Sequence, residues 1–369
     1  MSLFAKTGPW VVASLIAATS VFGQNSKSTD KGCSKTCDEM KQMQLMPAYN
    51  APSRIEVRGC WDVYASGSFT YWQAIQENME LGVVVTTPTA PAVTTSGDVV
   101  NPSFGYKPGF KVALGMNFDH DNWDSMIQYT WFRGKHATTT TMDRVGFPST
   151  SLHNLWMSPT GAANDFTSGS GNWKLHMDLV DWELARSYYV GTKLTFRPFF
   201  AARAAWIRQN IDVDYSSEVD TGRNVDIDKR SHSWAVGPRA GLYSDWMIGD
   251  GFRLYGNGAG DILFTQYKKL KSTQAITTAA GVPVSTLVVT QTKLNCLRTH
   301  LDLELGLGWG SYFDCNNWHV DLSAGYVFQV FFDQNMFRHF NDDVHIMNSM
   351  SPNGNLYMHG LTATARFDF

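Results

Sequence analysis

The sequence predicts an all-β fold: a transmembrane, antiparallel, up-and-down β-barrel of about ten strands, with short periplasmic turns and long extracellular loops. Three observations predict it. Apolar residues alternate with polar or small ones at a period of two from Trp61 to Phe369. Short and long polar connections alternate along the chain, as in membrane barrels. One strand face is aliphatic and aromatic, while the other mixes charges with glycine and alanine. A face of that kind packs badly as a dry core but suits a wet barrel interior.

The composition is 43% apolar, 13% aromatic and 17% charged over 369 residues, yet no internal stretch approaches the ~20 apolar residues of a membrane helix. A soluble β-rich secreted protein is the competing reading. With 30 basic against 33 acidic residues and a net charge of −3, no global field holds a polyanion, and nucleic acid is excluded as an expected partner.

At the N-terminus Lys6 precedes an apolar run from Pro9 to Ala18 and then the small residues Ser20 and Gly23. This is the layout of a secretory signal, assigned to 1–23; the run is short and broken by Ser14, which disfavours a membrane anchor. Residues 24–60 are polar and Lys/Ser/Met-rich, a periplasmic lead-in with one short helix within 33–46. Cys33 and Cys37 lie there without a nearby histidine, so a local or intermolecular disulfide is expected in preference to a metal. With Cys60, Cys296 and Cys315 the cysteine count is odd, which leaves one thiol free or intermolecular.

The barrel is expected over 61–369, with strands at 61–74, 108–118, 123–133, 173–186, 194–208, 231–244, 252–267, 296–310, 318–332 and 355–369. The clearest is 296–310: Leu297, Leu301, Leu303, Leu305, Leu307 and Trp309 alternate with Arg298, His300, Asp302, Glu304, Gly306 and Gly308. In 173–186 the apolar parity changes near Leu179 and Val180, which predicts a β-bulge. Pro198 and Pro238 fall inside strands and predict bulges or strand edges. The connections 119–122, 187–193, 245–251 and 311–317 are short. Those at 75–107, 134–172, 209–230, 268–295 and 333–354 are long and rich in Thr, Ser, Gly, Asn and Pro, as exposed loops are. A hairpin over 286–292 would raise the strand count to twelve.

Aromatic residues bracket the strand ends (Trp61, Tyr71, Trp72, Trp123, Trp131, Trp173, Trp206, Trp234, Trp309, Trp318), as two interfacial girdles require. The final run, Ala363-Thr-Ala-Arg-Phe-Asp-Phe369, resembles the C-terminal signal read by barrel-assembly machinery and makes Phe369 the expected assembly signal. With the apolar set toward lipid, the expected pore-lining residues are Arg197, Arg203, Arg239, Arg253, Arg298, Glu183, Asp261, Asp302, Glu304 and Asp321. In a channel such residues set ion preference; alternatively they pair across a narrow interior and fill it. His300/Asp302/Glu304, His319/Asp321 and His176/Asp178 have ligand types at period two, but that is the strand's own rhythm, so no metal, catalytic residue or cofactor is expected.

Several segments resemble the Legionella-type major outer membrane protein family. They are Tyr71-Trp-Gln-Ala74, Pro108-Gly-Phe-Lys-Val-Ala-Leu-Gly115, Trp123 with Tyr129-Thr-Trp131, Asp181-Trp-Glu-Leu-Ala-Arg186, Arg197-Pro198, Arg203-Ala-Ala-Trp-Ile207 and Gly237-Pro-Arg-Ala-Gly241. Ala185, where the pattern has Gly, and the Cys33/Cys37 segment depart from it. The resemblance implies a pore-forming, non-enzymatic barrel of the bacterial outer membrane. Its expected partners are outer-membrane lipid, the assembly machinery and either a homo-oligomer or disulfide-linked envelope proteins. A structural barrel or adhesin acting through its loops is the alternative, and an outer-membrane hydrolase a more distant one.

Overall fold

The structure, a computed structural model, describes residues 53–58, 62–87, 96–118, 121–142, 149–157, 165–217, 223–340, 349–350 and 353–369. The signal segment, Cys33, Cys37, Cys60 and Trp61 lie outside the described residues.

Ten long strands form the wall: β1 (Val63–Gln76), β2 (Tyr106–Asn117), β3 (Trp123–Thr141), β4 (Ser168–Arg186), β5 (Leu194–Ser216), β6 (Arg223–Gly249), β7 (Phe252–Thr278), β8 (Leu294–Phe313), β9 (Trp318–Asn335) and β10 (Gly354–Asp368). Each pairs antiparallel with its neighbour in sequence. β1 also pairs with β10, so the sheet closes and leaves no unpaired edge toward lipid. At the seam Tyr64 faces Asp368, and Val63 and Phe369 exchange backbone hydrogen bonds of 3.2 and 3.0 Å.

These are the ten expected strands, and the barrel is inside-out as expected. Leu301, Leu303, Leu305 and Leu307 are exposed, whereas His300 beside them is buried in the interior. Outward aromatic residues cluster at both rims of this apolar band, with Tyr71, Tyr106 and Trp206 toward the loops and Trp246, Phe313, Trp318 and Phe367 toward the turns. Trp72 and Trp173 do not belong to the girdle. Both are buried inside the barrel.

Much of what reads as long polar loop is wall. β6 and β7 are each 27 residues long, far beyond the roughly 9–11 residues that cross a bilayer. The region 209–230 is mostly the upper ends of β5 and β6, paired from Gln209 opposite Ser231 to Ser216 opposite Asn224. Its outward Asp212, Asp214, Asp226 and Asp228 make it look like loop, but Ile211, Val213, Tyr215, Val225 and Ile227 between them are buried inward. Above the apolar band, then, the barrel reverses its polarity and has a greasy inside and a charged outside, as a water-soluble barrel does.

The same reversal explains β4. No register shift occurs there, and the predicted bulge is absent. Trp173, Leu175, Met177 and Leu179 face inward, while Trp182 and Leu184 face outward. The apolar residues change face because the surroundings change. Register shifts occur instead in the β6–β7 ladder, at His232/Ser233 and Met247/Gly249. Pro198 stands just past the β4 ladder, which begins at Phe199, and Pro238 falls where the β6–β7 ladder is interrupted between Val236 and Arg239. Neither position needs the missing N–H.

Two further features stand on the wall. Pro283–Gln291 forms a hairpin with the upper end of β7 and rises from the loop-side rim without adding a stave. Gly82–Thr87, Ser96–Val100, Ser149–Asn154 and Asp165–Phe166 form a separate four-stranded sheet from the first two long connections.

Candidate functional site

The barrel interior divides into a charged lower half on the turn side and an apolar upper half on the loop side. All ten expected lumen residues turn inward, all but Arg298 within the lower half: Glu183, Arg203, Arg239, Asp261 and Asp321 are buried, and Arg197, Arg253, Arg298, Asp302 and Glu304 are partly buried. They are brought together in pairs. Arg203 holds Asp181 through two bonds of 2.6 and 2.7 Å and reaches Asp261 at 2.8 Å. Arg239 bridges Asp261 and Asp302, each at 2.9 Å. Arg197 clamps Asp124 at 2.5 and 3.1 Å and lies 3.6 Å from Glu183, whose other contact is the Tyr243 hydroxyl at 3.0 Å. Arg253 joins Asp245 and Asp321, and Arg298 lies 3.5 Å from Asp333 near the upper half.

Charges stripped of water need such partners, because an unpaired ion in a low-dielectric interior costs several kcal/mol. Bidentate Arg–carboxylate geometry also fixes each guanidinium in one orientation. Arg197 lies over the Tyr243 ring at 4.9 Å and Arg366 over Tyr64 at 3.7 Å, which adds cation–π attraction. The inward glycines have a steric purpose. A Cβ at Gly325 would stand 2.3 Å from the Tyr255 hydroxyl, and one at Gly306 would stand 2.6 Å from its ring. Those two glycines, opposite each other on β8 and β9, leave the slot through which Tyr255 reaches Glu304 at 2.8 Å.

Between these pairs remains a polar cavity of about 110 Å³, whose lining includes Lys111, Glu183, Arg239, Asp302, Glu304 and Thr362. Opposite charges face each other across it. A barrel of eight strands is filled by its side chains; the two extra staves leave this modest space.

The upper half is closed by an apolar plug. Met79, Leu81, Leu152, Trp156, Met157, Phe166 and Phe337, from the loop-side connections, pack against Trp72, Phe132, Trp173, Leu175, Ile207, Ile211 and Phe331 of the wall. Polar contacts pin it: Trp156 Nε1 donates to Glu80 O at 2.7 Å, Asn335 Nδ2 to Glu77 O at 2.7 Å, and the Tyr215 hydroxyl to Leu81 O. Lys229, inward on β6 above the apolar band, donates to Trp156 O at 3.2 Å and to Arg338 O, and lies 4.6 Å from the Trp156 ring. Burial and the nearby Arg338 lower its pKa to about 7.

Sequence reasoning missed Asp124, Asp181, Tyr243, Tyr64 and Arg366 as members of the network, and the whole plug. The inward parity of Asp181 was readable, but its partner was not, because pairing across the lumen depends on register. His300 bonds Asp261 at 2.8 Å, not its strand neighbour Asp302, and His319 lies 3.2 Å from Asp368. His176 and Asp178 are on the outer face of β4, since the inward parity there is odd. Among the described residues no cluster of histidine, cysteine and carboxylate could hold a metal ion. Cys296 is free, and Cys315 is disulfide-bonded.

Among known protein families, the one described as Legionella pneumophila major outer membrane protein precursor matches residues 56–369. No curated protein matches the chain. Among solved structures, the outer membrane protease OmpT of Escherichia coli is similar at 9% identity and a TM-score of 0.37, over 83% of this chain and 96% of that one. The Pseudomonas putida toluene transporter TodX is similar at 9% identity and 0.32, over 83% and 89%. A major outer membrane protein from Thermus thermophilus is similar at 12% identity and 0.24, over 82% and 99%.

Proposed function

Because the chain belongs to the Legionella pneumophila major outer membrane protein family, matched over residues 56–369, and is a β-barrel of the bacterial outer membrane, we propose that it is a narrow channel for passive diffusion of ions and small hydrophilic solutes, closed on the loop side by its own plug. The observation that carries this reading is the polar cavity between Glu183, Arg239, Asp302 and Lys111 in the lower half. Mixed charges there give a permeant ion transient partners of either sign. The apolar plug stands in the upper half, between this cavity and the loop side, so passage needs the plug to move.

The experiment is single-channel recording in planar bilayers of refolded protein, wild type against a Leu152→Ala/Trp156→Ala variant that loosens the plug. Low conductance in the wild type and higher conductance in the variant support the channel. Silence in both, with the barrel folded, rejects it.

A second reading, a structural barrel or adhesin, is favoured by one specific observation. The rim hairpin Pro283–Gln291 presents exposed Val284 and Val288, next to exposed Val282, above the membrane band. Exposed apolar groups clustered in this way suit contact with another surface. Loss of cell or matrix binding on deletion of 281–292, in a protein that does not conduct, selects this reading.

A further inference from the structure

The outer face of the wall carries a one-sided row of basic side chains directly above the aromatic girdle, three of them permanent cations. Across five adjacent strands, β3 to β7, the row reads Arg133, His176, Arg208, His232 and Lys269. Each is the cross-strand partner of the next: Arg133 faces His176, His176 faces Arg208, Arg208 faces His232, and His232 faces Lys269. All point outward, in the same parity as the exposed Trp206 below. One row lower are Trp131, Asp178, Trp206, Trp234 and Gln266, likewise in register. One row higher are Lys135, Lys174, Asn210, Arg230 and Lys271.

Like charges placed opposite one another weaken a sheet, and in the higher row Lys135 faces Lys174 and Arg230 faces Lys271, so this band calls for a counter-charge. The protein supplies only part of it. Arg133 is bound by Asp178 at 2.8 Å, Lys174 by Asp212 at 2.9 Å and Arg230 by Asp228 at 2.5 Å. Among the described residues Arg208, Lys269 and Lys135 make no ion pair. On the opposite side of the barrel, the outward positions near the same rim hold Tyr71, Tyr106, Tyr326, Tyr357 and His359, so the basic charge is confined to one face.

We propose that the β3–β7 face binds a phosphate-bearing lipid of the outer leaflet, its phosphates on Arg208, Lys269 and Lys135 and its acyl chains along the apolar wall below Trp206 and Trp234. The height of the row selects a lipid over a free anion. Tryptophan marks the headgroup level of a bilayer, and the cations stand one residue pair, about 7 Å, further from the hydrocarbon along the strand. The width fits a large headgroup: five strands span about 20 Å, enough for two phosphates on one sugar-based headgroup. Arginine and lysine beside an anionic membrane surface each add favourable attraction, and arginine can grip a phosphate with two parallel bonds. The inference depends on the outer-membrane location and not on whether the barrel conducts.

The test is native mass spectrometry of the refolded protein in detergent with equimolar diphosphorylated glucosamine lipid (lipid A) and phosphatidylcholine. Folding of each variant is checked by its heat-modifiable gel mobility. The expected result is retention of the phosphorylated lipid in preference to phosphatidylcholine, with that preference falling about tenfold or more in Arg208→Glu/Lys269→Glu. The milder Arg208→Gln/Lys269→Gln variant gives a smaller drop in the same direction. Lys193→Glu, at the exposed turn-side rim, leaves the preference unchanged. Equal retention of both lipids overturns the proposal, as does an unaltered preference in both double variants or an equal loss in Lys193→Glu. Displacement of the lipid by millimolar inorganic phosphate also overturns it and assigns the row to a free anion.

Discussion

Arg203 and Asp181 stand directly opposite each other in the β4–β5 ladder and are joined by two hydrogen bonds of 2.6 and 2.7 Å, with both side chains almost fully buried inside the barrel. The same arginine reaches Asp261 on β7, so one guanidinium links two walls of the interior. The network of the lower half is built from contacts of this kind, and several predictions of different character rest on it and on the plug above it.

Arg203→Ala strands the buried Asp181 and takes one partner from Asp261, which keeps Arg239 and His300. Breaking one side of a buried pair typically costs about 3–5 kcal/mol, so the variant should unfold at clearly lower urea than the wild type, followed by tryptophan fluorescence. Arg203→Met combined with Asp181→Leu removes charge from both sides of the main pair and should recover much of that loss. A single variant as stable as the wild type would mean that water reaches these groups freely.

Asp302 lines the cavity and accepts from Arg239 at 2.9 Å. In a conducting channel its removal frees the positive charge of Arg239 beside the cavity. Asp302→Ala should therefore shift the reversal potential in a salt gradient toward anion preference. An unchanged reversal potential would place the ion path elsewhere.

Lys229 gives a pH dependence with a definite sign. Its ordinary value is 10.5 and burial lowers it to about 7 in the folded chain. Between those values the unfolded chain binds the extra proton, so stability rises with pH across the window and this contribution is lost as pH falls toward 7. The apparent melting temperature of refolded protein should be higher at about pH 9.5 than at about pH 7.5 by an amount that Lys229→Met abolishes. Identical pH slopes in the two proteins would refute this assignment.

Leu175 is fully buried against the plug, although it belongs to a strand that shows apolar residues to lipid lower down. Leu175→Ala should destabilise the barrel by about 2–5 kcal/mol. The exposed, lipid-facing Leu305 in β8 is the control, and Leu305→Ala should cost much less. Chemical denaturation of both variants gives the comparison.

If Phe369 takes part in assembly, the position should tolerate Tyr but not Asp. Phe369→Asp puts a charge on an exposed terminal side chain whose backbone closes the seam with Val63. The yield of folded, heat-modifiable protein in the outer membrane should fall sharply with Asp and little with Tyr. Equal yields would remove the residue from that role.

The wall was legible in the amino-acid order. Strand sides are set by a local period of two, so Leu301, Leu303 and Leu305 on one face and His300, Asp302 and Glu304 on the other follow from the backbone alone. So do the ten strands and the alternation of short turns with long excursions. The lumen residues were identifiable as inward for the same reason, and all ten of them face the interior.

What local order could not decide is which medium each face meets. Asp212, Asp214, Asp226 and Asp228 read as loop because a polar outer face suggests solvent, and solvent was equated with irregular chain. The wall continues there in water, with Ile211 and Val213 inward. Trp173 and Leu175 look lipid-facing until the plug is placed against them. The partners Arg203–Asp261 and Tyr255–Glu304 were also beyond reach, since they join residues 58 and 49 positions apart through the register of a closed sheet. Alternation along a strand is a property of the peptide unit and belongs to the sequence. The environment of each face, and every contact across the lumen, exist only once closure sets the barrel's stagger and the loops fold back into its mouth, so these belong to the tertiary structure.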